Sequence, residues 1–235
     1  RGSARLMFGR WLGYEARRKE QLKKAPPGIL QEFLSVPFPA PNTPIYETPI
    51  LAVDFETTGL NPKTDHILSV GCIAMEKGDI KLSSAYHQVI NTDGDLAEES
   101  VVIHQITDAE KSLYGSTLET SVEKLLEALA GHVMLVHFAR IEKNFLQRAC
   151  KLLYGMAPDF PIIDTLDVCK RRYDRKMEAY ENSALRLFNL RDSLSLPAYG
   201  AHNALSDALS TAELFLAELA LRPEKSMPPL KDFVL

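Results

Sequence analysis

The stretch Ile50-Leu-Ala-Val-Asp-Phe-Glu-Thr-Thr-Gly59 constrains this chain more than any other. Ile50 to Val53 form an apolar run of the kind a buried strand needs, and two carboxylates follow at Asp54 and Glu56. Side chains alternate along a strand, so Asp54 and Glu56 share one face while Phe55 looks the other way. Thr57-Thr58-Gly59 ends the strand and bares backbone amides at its tip. Neighbouring carboxylates repel unless a positive charge lies between them. A divalent cation answers that need, since magnesium takes one or two carboxylates together with waters and phosphates. Alternatively, the two acids are simply solvated at a strand end.

The rest of the chain alternates strands with helices. Five prolines within residues 36–49 make an extended linker or strap. It divides an N-terminal helical appendage, residues 1–35, from a catalytic-looking domain over residues 50–221 and a short tail over residues 222–235. Strands are expected at His66–Met75 and Ile80–Ile90, joined by the turn Lys77-Gly-Asp79, and with the first they make an antiparallel meander. Leu118, Val122, Leu125, Leu126 and Leu129 carry a helical period over residues 117–130. A buried strand over His132–His137, a helix over Arg140–Tyr154 and a short strand over Pro161–Asp164 come next. Helices over Thr165–Tyr173, around Ser183–Asn189 and from Asn203 to Leu221 complete the pattern. The expected class is α/β, a mixed sheet of three antiparallel strands and then parallel strands, flanked by helices.

A net charge of −4 and a pI near 5.9 exclude a globally basic nucleic-acid binder. A nucleic-acid partner would have to be held by local patches or by metal. The three cysteines are far apart and odd in number, and Cys72 and Cys150, in apolar contexts, read as core thiols, which suits a reducing cytosol. No run approaches the ~18 apolar residues of a membrane span, so the location reads as cytoplasmic. Arg1-Gly-Ser-Ala-Arg-Leu6 reads as an expression scar, with Met7 the natural start. The charged middle of the appendage, Tyr14 to Lys24, is either a solvated helix face or a contact to a phosphate backbone or a protein partner.

Three further places put acids or imidazoles where the chain leaves an element. His137-Phe-Ala-Arg-Ile-Glu142 joins a buried strand to a helix; Asp164 ends a short strand; Gly200-Ala-His-Asn-Ala-Leu-Ser-Asp207 enters the last helix. Asp207 sits about one turn inside that otherwise apolar helix, where an unpaired charge is costly, so a metal or cation is expected beside it. Asp164 reads as the cap of the helix that starts at Thr165. His137 reads as structural. The cluster Lys170-Arg-Arg172 with Arg175 and Lys176 is either a phosphate-tracking patch or a solvated face.

In this order and spacing the blocks resemble the DEDD superfamily of 3′–5′ exonucleases, in the histidine-bearing DEDDh branch. That branch includes the epsilon proofreading subunit of DNA polymerase III, ribonuclease T and oligoribonuclease. Asp54-Phe-Glu-Thr-Thr-Gly59 matches the first motif, His202-x4-Asp207 the third, and His104-Gln-Ile-Thr107 the family's short His-x-Ile-Thr stretch. The resemblance covers roughly residues 48–221 and implies a ribonuclease H-like fold.

It further implies that Asp54, Glu56 and Asp207 hold one magnesium or manganese ion, and that Asp54 shares a second with Glu142. His202 would take the proton of the attacking water. The amides of Thr57, Thr58, Gly59 and Leu60, with the Thr58 side chain, would grip the 3′-terminal nucleotide, and His104 would lie nearby or be a satisfied structural histidine. The implied reaction releases nucleoside 5′-monophosphates from single-stranded 3′ ends, DNA favoured. An exoribonuclease, or a nucleic-acid-binding module with a weakened site, is the alternative.

The second motif departs from the family's His-Asn-Ala-x-Phe-Asp. Phe138 stands for asparagine and Glu142 for aspartate. Glu142 either supports the second metal through a longer arm or is a helix N-terminal acid favoured by the dipole. Phe138 either stacks on a base or packs in the core. Only fourteen residues, three of them proline, follow Leu221. The epsilon subunit uses a longer extension to hold its polymerase, so a freestanding nuclease, or one tethered through its N-terminal helix, is expected.

Overall fold

The computed structural model describes residues 13–91, 115–177, 179–200, 202–223 and 227–235. A helix over residues 13–22 (α1) and α2, Ile29–Ser35, precede the sheet. Then come β1, Ile50–Thr57; β2, Ile67–Glu76; β3, Asp79–Val89; α3, Leu118–Leu129; and β4, Val133–Val136. They are followed by α4, Arg140–Tyr154; β5, Ile162–Asp164; α5, Thr165–Lys176; α6, Leu187–Ser193; and α7, Ala204–Ala220. The five strands lie in the order β3-β2-β1-β4-β5, antiparallel from β3 to β1 and parallel from β1 to β5. This is the mixed sheet that the strand and helix periods predict.

β1 is the middle strand, and the whole of β4 is buried, as parallel strands covered on both faces must be. Register fixes what faces what: Asp54 lies opposite Gly71 and Glu56 opposite Ser69, so all four share one face. α7 packs on that face, because a side-chain carbon at Gly71 would lie 2.2 Å from the Ala204 and Leu205 backbone. Isolated glycine in a strand often marks such a close backbone approach. α3 covers the opposite face, where the Lys124 charge acts on Tyr86, itself the cross-strand partner of Cys72.

The helices before β1 and the tail after α7 belong to the same apolar cluster as the sheet. Leu30, Phe33 and Leu34 are buried in it, as are Leu230 and Phe233. Val234 bridges to Ile163 of β5 and Pro229 to Pro44 in the proline strap. A second small cluster of Cys169, Leu185, Leu187, Leu190 and Leu214 joins α5, α6 and α7. All three cysteines are free and buried; burial pushes the Cys72 and Cys150 thiols up to about 12. Among the described residues no helix is long and apolar enough to cross a membrane.

Two boundaries differ from expectation. α5 continues past Tyr173 to Lys176, closed by Met177 in the left-handed region. The helix expected around Ser183–Asn189 is two pieces, a 3-10 turn over Asn182–Leu185 and then α6. Arg186 separates them with an extended backbone, φ −68° and ψ 143°.

Candidate active site

β1 delivers Asp54 and Glu56 at its carboxyl end, and two helix N-termini converge on them. α7 starts at Asn203, whose side chain accepts from the Ser206 N–H, and so carries Asp207 in its first turn. α4 carries Glu142 in its first turn but has no side-chain cap of its own. Asp164 supplies the deficit: its carboxylate accepts from the amides of Phe138 and Ala139, both at 2.9 Å, while capping α5 through the Leu166 N–H at 3.0 Å. One acid therefore starts two helices. The N-terminal partial charges of α4 and α7 ease the cost of the acids they present.

Glu56, Glu142 and Asp207 are buried, and Asp54 is partly so. Burial pushes the Asp54 carboxyl well above the usual carboxylate range, and the charges of Glu142, Asp207 and Glu56 push it further. Glu142 is raised the same way, first by burial and then by Asp164 and Glu56. Asp207 is pushed up to about 7 by burial and by Glu56, against a hydrogen bond from the His202 amide and the pull of Arg191. The four predicted acids thus act on one another.

Glu56, His202 and Asp207 can each offer a ligand atom within 4.8 Å of the others; Asp54 and Glu142 stand outside that triad. Glu142 Oε2 and Asp207 Oδ1 are buried with no hydrogen-bond partner. Orphaned, mutually repelling carboxylate oxygens are what a hard divalent cation satisfies, so this donor set fits a metal.

His202 is exposed and held in the left-handed region at φ +68°. Behind it stands a residue that motif reading passes over. Arg191 is 1% exposed and donates to the Ser210 carbonyl at 2.7 Å, the Pro197 carbonyl at 2.8 Å and Glu213 at 2.7 Å. The Tyr199 hydroxyl donates to the same Glu213, so the approach to His202 is tied to α6 and α7. An arginine followed by polar residues gives no signal of this. Gly71 was also missed, although a lone glycine in a strand of apolar residues is itself a signal.

The turn after β1 is partly committed. The Thr58 amide donates to the His66 carbonyl, contrary to its expected role in gripping a nucleotide, and the Thr58 hydroxyl accepts from the His66 amide. Thr57 donates its hydroxyl to the Gly59 carbonyl. Gly59 and Leu60 have no amide acceptor among the described residues, and Leu60 is 73% exposed. His104 and the stretch Val101–Thr107 lie outside the described residues.

Phe138 does not pack in the core. It is 42% exposed and sits at φ +74°, a conformation costing a non-glycine residue about 1–3 kcal/mol. His137 beside it is structural: Nε2 lies 3.0 Å from the Leu185 carbonyl, which can only accept, so that nitrogen carries the proton. Its Nδ1 meets the Thr165 hydroxyl at 2.8 Å, and burial holds the ring's pKa down. The expected basic patch divides. Arg171 is bound to Asp167 and the Asp232 carbonyl, and Arg172 to Glu218, leaving Lys170 outside that frame.

The exonuclease family model of the RNase T type matches residues 51–215. This chain belongs to the RNase T exonuclease family. The matched segment is an exonuclease domain. A PolC-type DNA polymerase III from Thermotoga petrophila is 31% identical over 166 residues, which are 71% of this chain and 11% of that protein. A DNA polymerase III epsilon-like protein from Rhodobacter capsulatus is 27% identical over 175 residues, 74% of this chain and 24% of that protein. The exonuclease chain thus spans a quarter or less of the length of these relatives. In fold it is similar to the nuclease domain of 3'hExo, a DEDDh family member solved with rAMP bound. That likeness has a TM-score of 0.63 at 17% identity, covering 76% of this chain and 94% of that one.

Proposed function

We propose that this domain removes nucleotides one at a time from single-stranded 3′ ends as nucleoside 5′-monophosphates, DNA rather than RNA, with magnesium or manganese. The observation that carries the reading is the convergence of Asp54, Glu56, Glu142 and Asp207, with two orphaned oxygens among them and His202 beside them. Asp54, Glu56 and Asp207 would hold one ion, and Asp54 with Glu142 a second. Bound there, such ions supply stabilisation of charge on the attacking and leaving oxygens of an in-line displacement. His202 takes a proton from the attacking water; the water oxygen bonds to phosphorus as the bond to the upstream 3′ oxygen breaks. That oxygen is protonated as it leaves, and the imidazolium returns its proton to solvent. Gly59, Leu60 and the Thr58 hydroxyl hold the terminal nucleotide.

The relatives named for DNA polymerase III support DNA and make a DNA polymerase the partner to test, with the N-terminal helices as the contact. The rAMP-bound neighbour keeps RNA as the competing substrate. A ladder assay on 5′-labelled single-stranded DNA and RNA decides, with magnesium, manganese or EDTA. Shortening from the 3′ end that EDTA and Asp54→Ala both abolish is the expected result, faster on DNA. RNA as the faster substrate overturns the DNA preference; no shortening of either polymer leaves a binding module.

A further inference from the structure

Beside the catalytic acids runs a groove that the mechanism above does not use. It measures about 610 Å³, within the ~300–1,000 Å³ of ligand-sized pockets. Phe138 and His137 form one wall, Leu166 and Lys170 of α5 another, and Leu185 and Arg186 a third. Three features set it apart from a surface crevice. Phe138 is exposed at its rim in a strained left-handed conformation, although a glycine would adopt that conformation freely. The side-chain cations of Lys170 and Arg186 have neither an acid nor a hydrogen-bond acceptor among the described residues, whereas Arg171 and Arg172 are both engaged. Its Phe138 wall adjoins the acids: Asp164 accepts from the Phe138 amide, and the charge of Asp164 acts on Glu142.

An exposed aromatic ring flanked by two uncommitted cations is the combination that single strands use, bases on the ring and phosphates on the cations. We infer that this groove holds the nucleotides on the 5′ side of the scissile bond, with Phe138 stacking on a base and Lys170 and Arg186 contacting phosphates. The inference rests on the exonuclease reading and adds a substrate requirement. A paired base cannot leave its stack to meet Phe138, so a 3′ end must carry unpaired nucleotides upstream of the cut as well as at its tip.

The test compares wild type, Phe138→Gly and the double variant Lys170→Ala/Arg186→Ala on two substrates. One is a 12-nucleotide single-stranded DNA; the other is the nitrophenyl ester of thymidine 5′-monophosphate, which has no upstream nucleotide. The ratio of kcat/KM for the 12-mer to that for the ester is expected to fall at least tenfold in both variants. Phe138→Gly should raise Tm while that ratio falls, which a packing residue would not do. The double variant should flatten the salt dependence of 12-mer binding by about 1.4 in log–log slope, at about 0.7 per phosphate contact.

An unchanged ratio in both variants overturns the groove, as does a lowered Tm in Phe138→Gly with the ratio intact. Binding of a fluorescent 12-mer in EDTA separates this failure from failure of the exonuclease reading. If wild type hydrolyses neither substrate yet binds the 12-mer at least tenfold more tightly than both variants, the groove stands and the hydrolase falls. Equal binding by all three proteins removes the groove as well.

Discussion

At the scale of single residues, the site is a concentration of acids that the fold holds together at its own expense. Asp207 is raised from 3.8 to about 7, and Asp54 and Glu142 are raised too. A carboxyl whose folded pKa exceeds its unfolded one adds stability that is full below the unfolded value. That stability is lost as pH climbs from near 3.8 toward and through 7. In EDTA, Tm should therefore fall between pH 5 and pH 8, at roughly 1.4 kcal/mol per pH unit for each group still holding its proton. Manganese or magnesium should restore it at pH 8. A Tm flat across this range in EDTA would contradict the arrangement of the acids. By the same logic Asp207→Asn should melt higher than wild type in EDTA at pH 8, by about 2–4 °C for each kcal/mol of repulsion relieved. It should also shorten no substrate strand.

The elements that place these residues rest on contacts of very different visibility. Gly71→Ala would put a methyl group against the α7 backbone, costing about 1–3 kcal/mol or more and tilting Asp207 away from Asp54. Urea denaturation and strand shortening, measured together, should both suffer; a neutral result would mean that α7 does not rest on β2. Asp164→Ala removes the acceptor for three amides at the starts of α4 and α5 and should cost at least about 2 kcal/mol. Much of this frame was legible beforehand. The period of α3 and the alternation at Asp54-Phe55-Glu56 are local signals, and both match the structure. The role of Asp164 as the cap of α5 was legible because a cap lies next to its helix. Its grip on Phe138 and Ala139 was not, because that partnership spans 25 residues and obeys no period. Arg191 was invisible for the same reason: two of its three acceptors are backbone carbonyls that any sequence supplies, and the third, Glu213, lies 22 residues away. Arg186 breaks the helix expected around Ser183–Asn189, and the extended backbone there has no proline to announce it.

Over the whole molecule, the segments on either side of the nuclease motifs are part of one packed body. Phe33 and Phe233 are each about 1% exposed and lie in the same cluster as the sheet. Phe33→Ala should cost about 3–5 kcal/mol although it lies outside every catalytic motif. Loss of all residues before Ile50 should leave a chain that unfolds well below the full-length Tm. A truncated protein melting with the intact one would show that those helices merely rest on the surface. The three buried cysteines sit in different places: Cys72 in β2, Cys150 in α4 and Cys169 in α5. Because none touches solvent and burial disfavours every thiolate, the folded protein should be silent to a thiol-reactive dye. Each is thus a natural clock set in a separate layer. The order in which they take up the dye under mild urea would time which part of the molecule breathes first, without any label being added.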